Sequence, residues 1–290
     1  MFLTELKSVT KDEIFQKVAL GDTTTFKCGG TAKYYVEPTD EMSLISIVTA
    51  CKNNNVNYLL LGNGSKILVS DSGYNGVVIS TKKFNKINFD GDFLYAQAGV
   101  TVAKLLSFCT LYGVGGFSFL AGIPATVGGL IATNGGAFGK SMADVLHSYA
   151  VYLNGQTVIG DLNGFSYRNS PIKGGDVVLF AMLKREISTT VREDVKEYLL
   201  KRKGQPIGNS AGSVFKNPQG DFAGRLIEEC GLKGYQIGGA IVSEKHANFI
   251  INNGGTSSDV YDLMRFIKNA VKEKFGITLE EEVRCVGDFE

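Results

Sequence analysis

The chain has 290 residues, 44% of them hydrophobic, with 30 Lys+Arg against 29 Asp+Glu and a formal charge of +1. A chain of this length buries roughly three quarters of its unfolded surface, enough for two or three lobes. The balanced charge gives no basic footprint for a nucleic-acid backbone, and no basic or apolar run is long enough to read as a membrane surface or span, so small molecules are the expected partners.

No obligatory protein partner is evident. Cys28, Cys51, Cys109, Cys230 and Cys285 are widely spaced and lack paired C-x-x-C intervals, which argues for reduced thiols in a cytoplasmic protein and against a metal site. The opening "MFLTELKSVTKDEIFQKVALGD" carries acids and lysines where an export signal would carry a basic region and an apolar run. Glycine is abundant, 36 residues against 5 prolines, and that excess needs a local explanation.

An N-terminal helix pattern comes first. "DEMSLISIVTACKNNNV" then reads as a helix capped by Asp40, with Leu44, Ile47, Val48 and Cys51 on one face and an Asn-rich stop. The strand "NYLLL" runs into "GNGSKILVSDSGYNGVVIS", which holds two further apolar runs between Gly-rich turns. Beyond Phe84 come the strand "FLYAQAG" and the helix "TVAKLLSFCTLYG", with Val102, Leu105, Leu106 and Cys109 on one face and Gly113 as its cap. From Gly113 to Gly139 the glycines recur too densely for hairpins, and the stretch follows neither the helical nor the strand period. "SYAVYL" and "VVLFAML" are strands, and "STTVREDVKEYLLKRKG" is a charged helix ending near Gly204, where a domain boundary is expected. "DFAGRLIEECG" and "SSDVYDLMRFIKNAVKEKFG" are helices flanking the strand-like "GGAIV" and "NFIIN".

Glycine lets backbone N–H groups approach an anionic ligand, because a missing Cβ removes the steric barrier. "LGNGSK" (Leu61 to Lys66) and "AGIPATVGGLIATNGGAFG" (Ala121 to Gly139) both have that character. Either alone reads as an ordinary turn; together they favour a pyrophosphate cradle. There is no G-x-G-x-x-G after a strand and no G-x-x-x-x-G-K closed by Ser or Thr, which argues against a Rossmann domain or a P-loop.

The catalytic inventory is short. His147 and His246 read as structural histidines, and "SAGSV" is not the G-x-S-x-G elbow of a hydrolase. What remains is Arg168 in "FSYRNS", Ser213 in "SAGSVFKNP" and Glu282 in "LEEEVRCVG". Taken singly, these read as a surface guanidinium, a turn hydroxyl and one of three solvated acids.

In order and wording these motifs resemble the bacterial UDP-N-acetylenolpyruvoylglucosamine reductases, from "TTFKCGG" to "EEEVRCVG", through "AGIPATVGG…NGGAFG", "YRNS", "SAGSVFKNP" and "GLKGYQIGGAIVSEKHANFIIN". The resemblance implies an α+β protein: a two-lobed FAD-binding domain of the vanillyl-alcohol oxidase type over 1–200 (lobes about 1–82 and 83–200), then a smaller α+β substrate-binding domain over 201–290. It implies FAD as cofactor, NADPH as hydride donor, and reduction of an enolpyruvyl nucleotide sugar in the cytoplasm for peptidoglycan synthesis.

The same resemblance implies cofactor contacts from Gly62, Asn63, Gly64, Ser65, Lys66 and Ile67. In the second loop it implies Ala121, Gly122, Ile123, Pro124, Thr126, Val127, Gly128 and Gly129, then Asn134, Gly135, Gly136, Ala137 and Gly139. Arg168, Ser213 and Glu282 are implied as catalytic; "KNP" and the basic "KRKGQP" (Lys201 to Pro206) are where a substrate diphosphate is expected to be neutralised, through Asn217 and Lys203, with Tyr167 a further expected substrate contact. Similar proteins usually have Asn where this chain has Lys66 and Gly where it has Ala125. They commonly have Arg and a small aliphatic residue at the positions of Lys27 and Cys28. The short connection before "QPIGNSAGS" resembles the form that lacks a tyrosine-bearing loop. The nearest rival is an oxidase of the same flavin fold; such relatives often attach flavin through a histidine, and neither histidine here lies in the glycine motifs.

Overall fold

The computed structural model describes residues 2–289. The chain divides into two compact units: residues 1–15, 34–63 and 76–203 form one, and residues 16–33, 64–75 and 204–290 the other. Each has its own apolar core.

The larger unit is built on a five-stranded antiparallel sheet in the order Gln156–Gly160, Leu146–Leu153, Val177–Lys184, Phe93–Gln97, Ile87–Asp90. Its central strand sets Phe180 opposite Ala150 on one side and Gln97 on the other. The helices start and stop where side chains can satisfy their end groups. Asp40 accepts from the Ser43 amide at 2.8 Å to open Glu41–Asn53, and that helix buries Leu44, Ile47, Val48 and Cys51. Thr101 caps Val102–Tyr112, which Gly113 closes at φ 65°. The Phe2–Val9 helix stops short of the acidic segment, and Ile14–Ala19 is a strand. Asp12 explains the break: its carboxylate accepts from the hydroxyls of Thr10 and Thr39 and from that of Ser43, which makes a turn the favoured conformation there. The glycine-rich stretch, which follows neither period in sequence, contains the helix Val127–Thr133. Two turns are too few for a periodicity to register.

The smaller unit pairs Ile67–Val69 in parallel with Arg284–Val286, and carries a three-stranded antiparallel sheet in the order Gln236–Ile237, Ala240–Val242, Ile250–Asn252. The helices Ala223–Glu229 and Ser257–Phe275 pack against each other, the longer one also lying on the sheet. That helix buries Val260, Leu263, Met264, Ile267 and Val271 along one stripe. Thr256 and Asp259 form a capping box at its start, and Gly276 closes it at φ 71°. A second carboxylate joins the first turn: Asp71 accepts the amides of Ser257 and Ser258 and the Ser258 hydroxyl, each at 2.9 Å.

All five cysteines are free thiols, and burial pushes those of Cys51 and Cys109 up to about 12. Among the described residues no helix is long and apolar enough to cross a membrane.

Asp71 gives the fold a pH-dependent element. Burial disfavours its charged form, but the Ser257 and Ser258 amides and their hydroxyls outweigh that and hold the carboxyl below 3.8. A depressed carboxyl stabilises fully above its unfolded value and loses that contribution as pH falls through the folded one. Asp71→Asn is therefore expected to cost about 1 kcal/mol near neutrality, the usual worth of a helix cap. Denaturant melts of both proteins should show the gap closing as pH drops below 3.8.

Candidate active site

In the larger unit the two glycine loops converge. A Cβ on Gly62 would lie 2.5 Å from the Thr126 hydroxyl, a distance only glycine permits. Asn63 Nδ2 donates to the Pro124 carbonyl at 2.9 Å, tying the loops together. The second loop is clamped in turn to the chain just past the strand Phe93–Gln97. The Val127 amide donates to Val100 O and that of Gly128 to Ala98 O, both at 2.8 Å, and a Cβ on Gly128 would sit 2.7 Å from that of Ala98. Thr126 accepts the Gly129 amide at 3.3 Å. The amides of Val127, Gly128 and Gly129 are thus spent on holding the loop in place.

Gly122 is exposed at φ 79°, and a Cβ there would meet Arg202 Cδ at 2.8 Å. The Arg202 guanidinium lies 5.1 Å over the Phe138 ring and is half-buried, and burial lowers its pKa. The close approach of the loops at Gly62, the exposed glycine at position 122 and the Arg202 side chain beside it suit a dinucleotide pyrophosphate. The segment "KRKGQP" (Lys201 to Pro206) is basic. Arg202 is its only member set against this cradle, whereas Lys203 is exposed.

Arg168 sits in the same unit at φ 50°, in a turn where Ser166 and Asn169 exchange amide hydrogen bonds at 3.1 Å. The turn is anchored to the end of the Val127–Thr133 helix. Asn134, buried and left-handed at φ 44°, donates to Ser166 O at 2.8 Å and accepts from the Ala143 amide at 3.0 Å. Ser170 donates to Ala132 O at 2.8 Å. Arg168 Nη2 then donates to Gly136 O at 2.9 Å, so the guanidinium is held against the "NGGAFG" segment. Tyr167 is exposed, its ring 5.5 Å from that guanidinium. The Asn134 side-chain amide fixes the position of the Arg168 turn.

In the smaller unit, Ser213 and Glu282 are brought to one lysine. The chain from Val214 to Lys216 lies between two neighbours: the Val214 amide donates to Asn248 O at 2.8 Å, and the Glu282 amide donates to Val214 O at 2.7 Å. Lys66 Nζ donates to Ser213 O at 2.7 Å and pairs with Glu282 Oε1 at 3.0 Å. The three acids of "EEE" each hold a lysine, Glu280 with Lys216, Glu281 with Lys268 and Glu282 with Lys66. Glu282 is the enclosed one, its side chain 10% exposed against 72% and 32% for the others.

Asn217 Oδ1 accepts the Ala223 amide at 3.1 Å and so caps the following helix. The histidines are occupied structurally: His147 stacks on Phe93 at 4.1 Å, and His246 Nδ1 accepts from the Asn248 amide at 3.2 Å, its pKa lowered by burial.

The fold and the cradle define the class. Residues 32–159 match the family model of an FAD binding domain, and residues 204–286 match that of the C-terminal domain of UDP-N-acetylenolpyruvoylglucosamine reductase. The enzyme of that name from Caldicellulosiruptor bescii is 40% identical over 290 residues, covering 96% of this chain and 92% of the relative. That from Clostridium novyi is 39% identical over 288 residues, covering 96% and 94%. The crystal structure of UDP-N-acetylenolpyruvylglucosamine reductase from Thermus caldophilus superposes with a TM-score of 0.82 at 34% identity, covering 96% of this chain and 99% of that one. Phl p 4.0202, a glucose dehydrogenase, shares the fold alone, at a TM-score of 0.51 and 16% identity over 64% of this chain and 44% of that one. The two-lobed flavin fold expected from the motifs is thereby established, and the chain is a flavoprotein of that class. It belongs to the UDP-N-acetylenolpyruvoylglucosamine reductase family.

Gly62→Val tests the cradle. Overpacking of this kind costs about 1–3 kcal/mol, so FAD affinity is expected to fall by about tenfold or more while circular dichroism is retained. Fluorescence titration of the apoprotein with FAD measures it, and unchanged affinity would place this loop away from the cofactor.

Proposed function

We propose that this protein reduces the enolpyruvyl ether of UDP-N-acetylglucosamine to UDP-N-acetylmuramate with electrons from NADPH, an FAD-dependent step of peptidoglycan precursor synthesis carried out in the cytoplasm. The observation that carries this reading is family membership over nearly the whole chain, with Arg168, Ser213 and Glu282 standing in the motifs that the resemblance assigns to catalysis.

Gly62, Asn63, Gly122 and Arg202 are the residues we assign to holding FAD, through backbone approach and positive charge. Bound FAD supplies hydride transfer, two electrons and one proton at a time. The protein's own residues handle the charge this creates on substrate. Hydride added to the terminal vinyl carbon leaves an electron pair on the neighbouring carbon, which spreads into the attached carboxylate. A guanidinium meets a carboxylate through two parallel N–H donors, and Arg168 is already held rigid by Gly136 O and by the turn beneath it. Its strained φ of 50° costs energy that the Asn134 and Ser170 anchors offset.

The electron pair is then quenched by a proton on carbon. A serine hydroxyl is a weak acid toward water but adequate toward so basic a carbon, and it needs no histidine. Ser213 is assigned this step, its proton recovered from solvent. Glu282, ion-paired with Lys66, has only acceptor oxygens to offer and so orients its neighbours. Asn217, with its amide orientation set by the Ala223 cap, together with Lys203 and Tyr167, is assigned to the nucleotide-sugar substrate.

An oxidase of the same fold would consume oxygen without NADPH. Steady-state assays are expected to show NADPH consumed only when the enolpyruvyl sugar is present; sugar-independent oxygen uptake would favour the oxidase. In single-turnover mixing, Ser213→Ala should accept electrons from NADPH but pass them to the enolpyruvyl sugar ~10²-fold more slowly or worse. A normal rate would remove Ser213 from the mechanism. Arg168→Ala should slow the same step, and an unaltered rate there would remove Arg168.

A further inference from the structure

We infer that Lys66 is a positioning residue of the reduction: its ammonium ties the Ser213 carbonyl to the Glu282 carboxylate and so sets where the proton donor stands. The inference rests on the reading that Ser213 protonates the substrate carbon.

Lys66 ends the "LGNGSK" stretch, and its side chain is engaged inside its own unit. Nζ lies 2.7 Å from Ser213 O and 3.0 Å from Glu282 Oε1. The base of the side chain is fixed as well, because Lys66 O accepts the Arg284 amide at 2.9 Å and Ile67 pairs with Arg284 in the parallel ladder. A rigid backbone at one end and two oxygens at the other leave the butyl chain little freedom.

The strut adds to pairing already present, since Ser213 forms an isolated antiparallel bridge with Phe249. Val214 and Phe215 are bound to Asn248 through both its backbone carbonyl and its side-chain amide, with bonds of 2.8–2.9 Å. The preceding Gly212 takes a left-handed φ of 72°, a turn that glycine makes at low cost. Lys66 Nζ lies 3.9 Å from where a Gly212 Cβ would be, directly against that turn. An ammonium on the carbonyl of the donor residue therefore adds a tie on the side away from Asn248, linking that carbonyl to the Glu282 carboxylate.

Burial makes the pair consequential. The ion pairs of Glu280 and Glu281 are rim contacts, worth little each. Glu282 is 10% exposed and Lys66 29%, so removing the lysine would strand an enclosed carboxylate. Asparagine, the residue usual at this position in similar proteins, is neutral and shorter by two carbon–carbon bonds, and it cannot make this ion pair.

The test uses holoenzyme reduced by NADPH and mixed anaerobically with the enolpyruvyl sugar, in H₂O and in D₂O. Lys66→Met is expected to slow reoxidation about tenfold at saturating sugar, as coupled neighbours do, and to raise the solvent isotope effect as proton delivery becomes limiting. Lys66→Arg should restore most of the rate and return the isotope effect toward that of the parent. Combined with Ser213→Ala, Lys66→Met should cause no further loss, since it acts through that serine. A normal rate in Lys66→Met, multiplicative losses in the double variant, or an unchanged isotope effect would overturn the proposal. So would weakened FAD binding with normal reoxidation once FAD is saturating, which would make Lys66 a cofactor contact. Normal reoxidation in Ser213→Ala alone would instead defeat the underlying mechanism, so the two failures are distinguishable.

Discussion

Close approach to a glycine backbone, with no Cβ in the way, is the constraint on which this protein depends. In the larger unit it lets Gly62 lie against Thr126 and Gly128 against Ala98, so that two loops far apart in sequence meet over the sheet. In the smaller unit the same device sets Gly30 against Asp71 and Gly73, where a Cβ would lie 2.3–2.8 Å from main-chain atoms. The glycine excess therefore does two things. It leaves surface on which a dinucleotide phosphate can rest, and it permits the close packing that holds that surface still.

Polar side chains with both ends engaged carry the rest of the positioning. Asn134 spends its amide on Ser166 and Ala143 and thereby aims the Arg168 turn. Asn248 brackets Phe215 through N–H and C=O alike, and so holds the strand that carries Ser213. Asp71 seats itself on the start of the Ser257–Phe275 helix, where the exposed amides and the helix dipole favour an anion. Asn134 and Asn248 are buried, so an unmade hydrogen bond at either would be costly, which makes the arrangement specific.

Much of the fold was legible because long elements advertise themselves. The apolar faces of Glu41–Asn53, Val102–Tyr112 and Ser257–Phe275, with Asp40 opening the first and Gly113 and Gly276 closing the other two, follow from periodicity and capping chemistry, whereas Thr256, one residue before the expected Ser/Asp start, is the cap of the last. The helix Val127–Thr133 and the strand Ile14–Ala19 did not announce themselves. The first is too short to show a period and rich in glycine; the second follows a turn made by Asp12 with residues remote in the chain.

By itself, the sequence determined the kind of chemistry: glycine loops without Rossmann or P-loop spacing, histidines outside those loops, and an arginine, a serine and a glutamate in motifs that resemble one enzyme family. Which polar atoms meet was decided by tertiary structure alone. Lys66 pairs with a carboxylate more than two hundred residues away, Asn217 caps a helix, and Arg202 is set against Gly122 while neighbouring Lys203 faces solvent. Such contacts leave no period and no spacing in the chain. They arise when packed backbones bring single side chains within hydrogen-bond reach, and the geometry of that packing is written only in three dimensions.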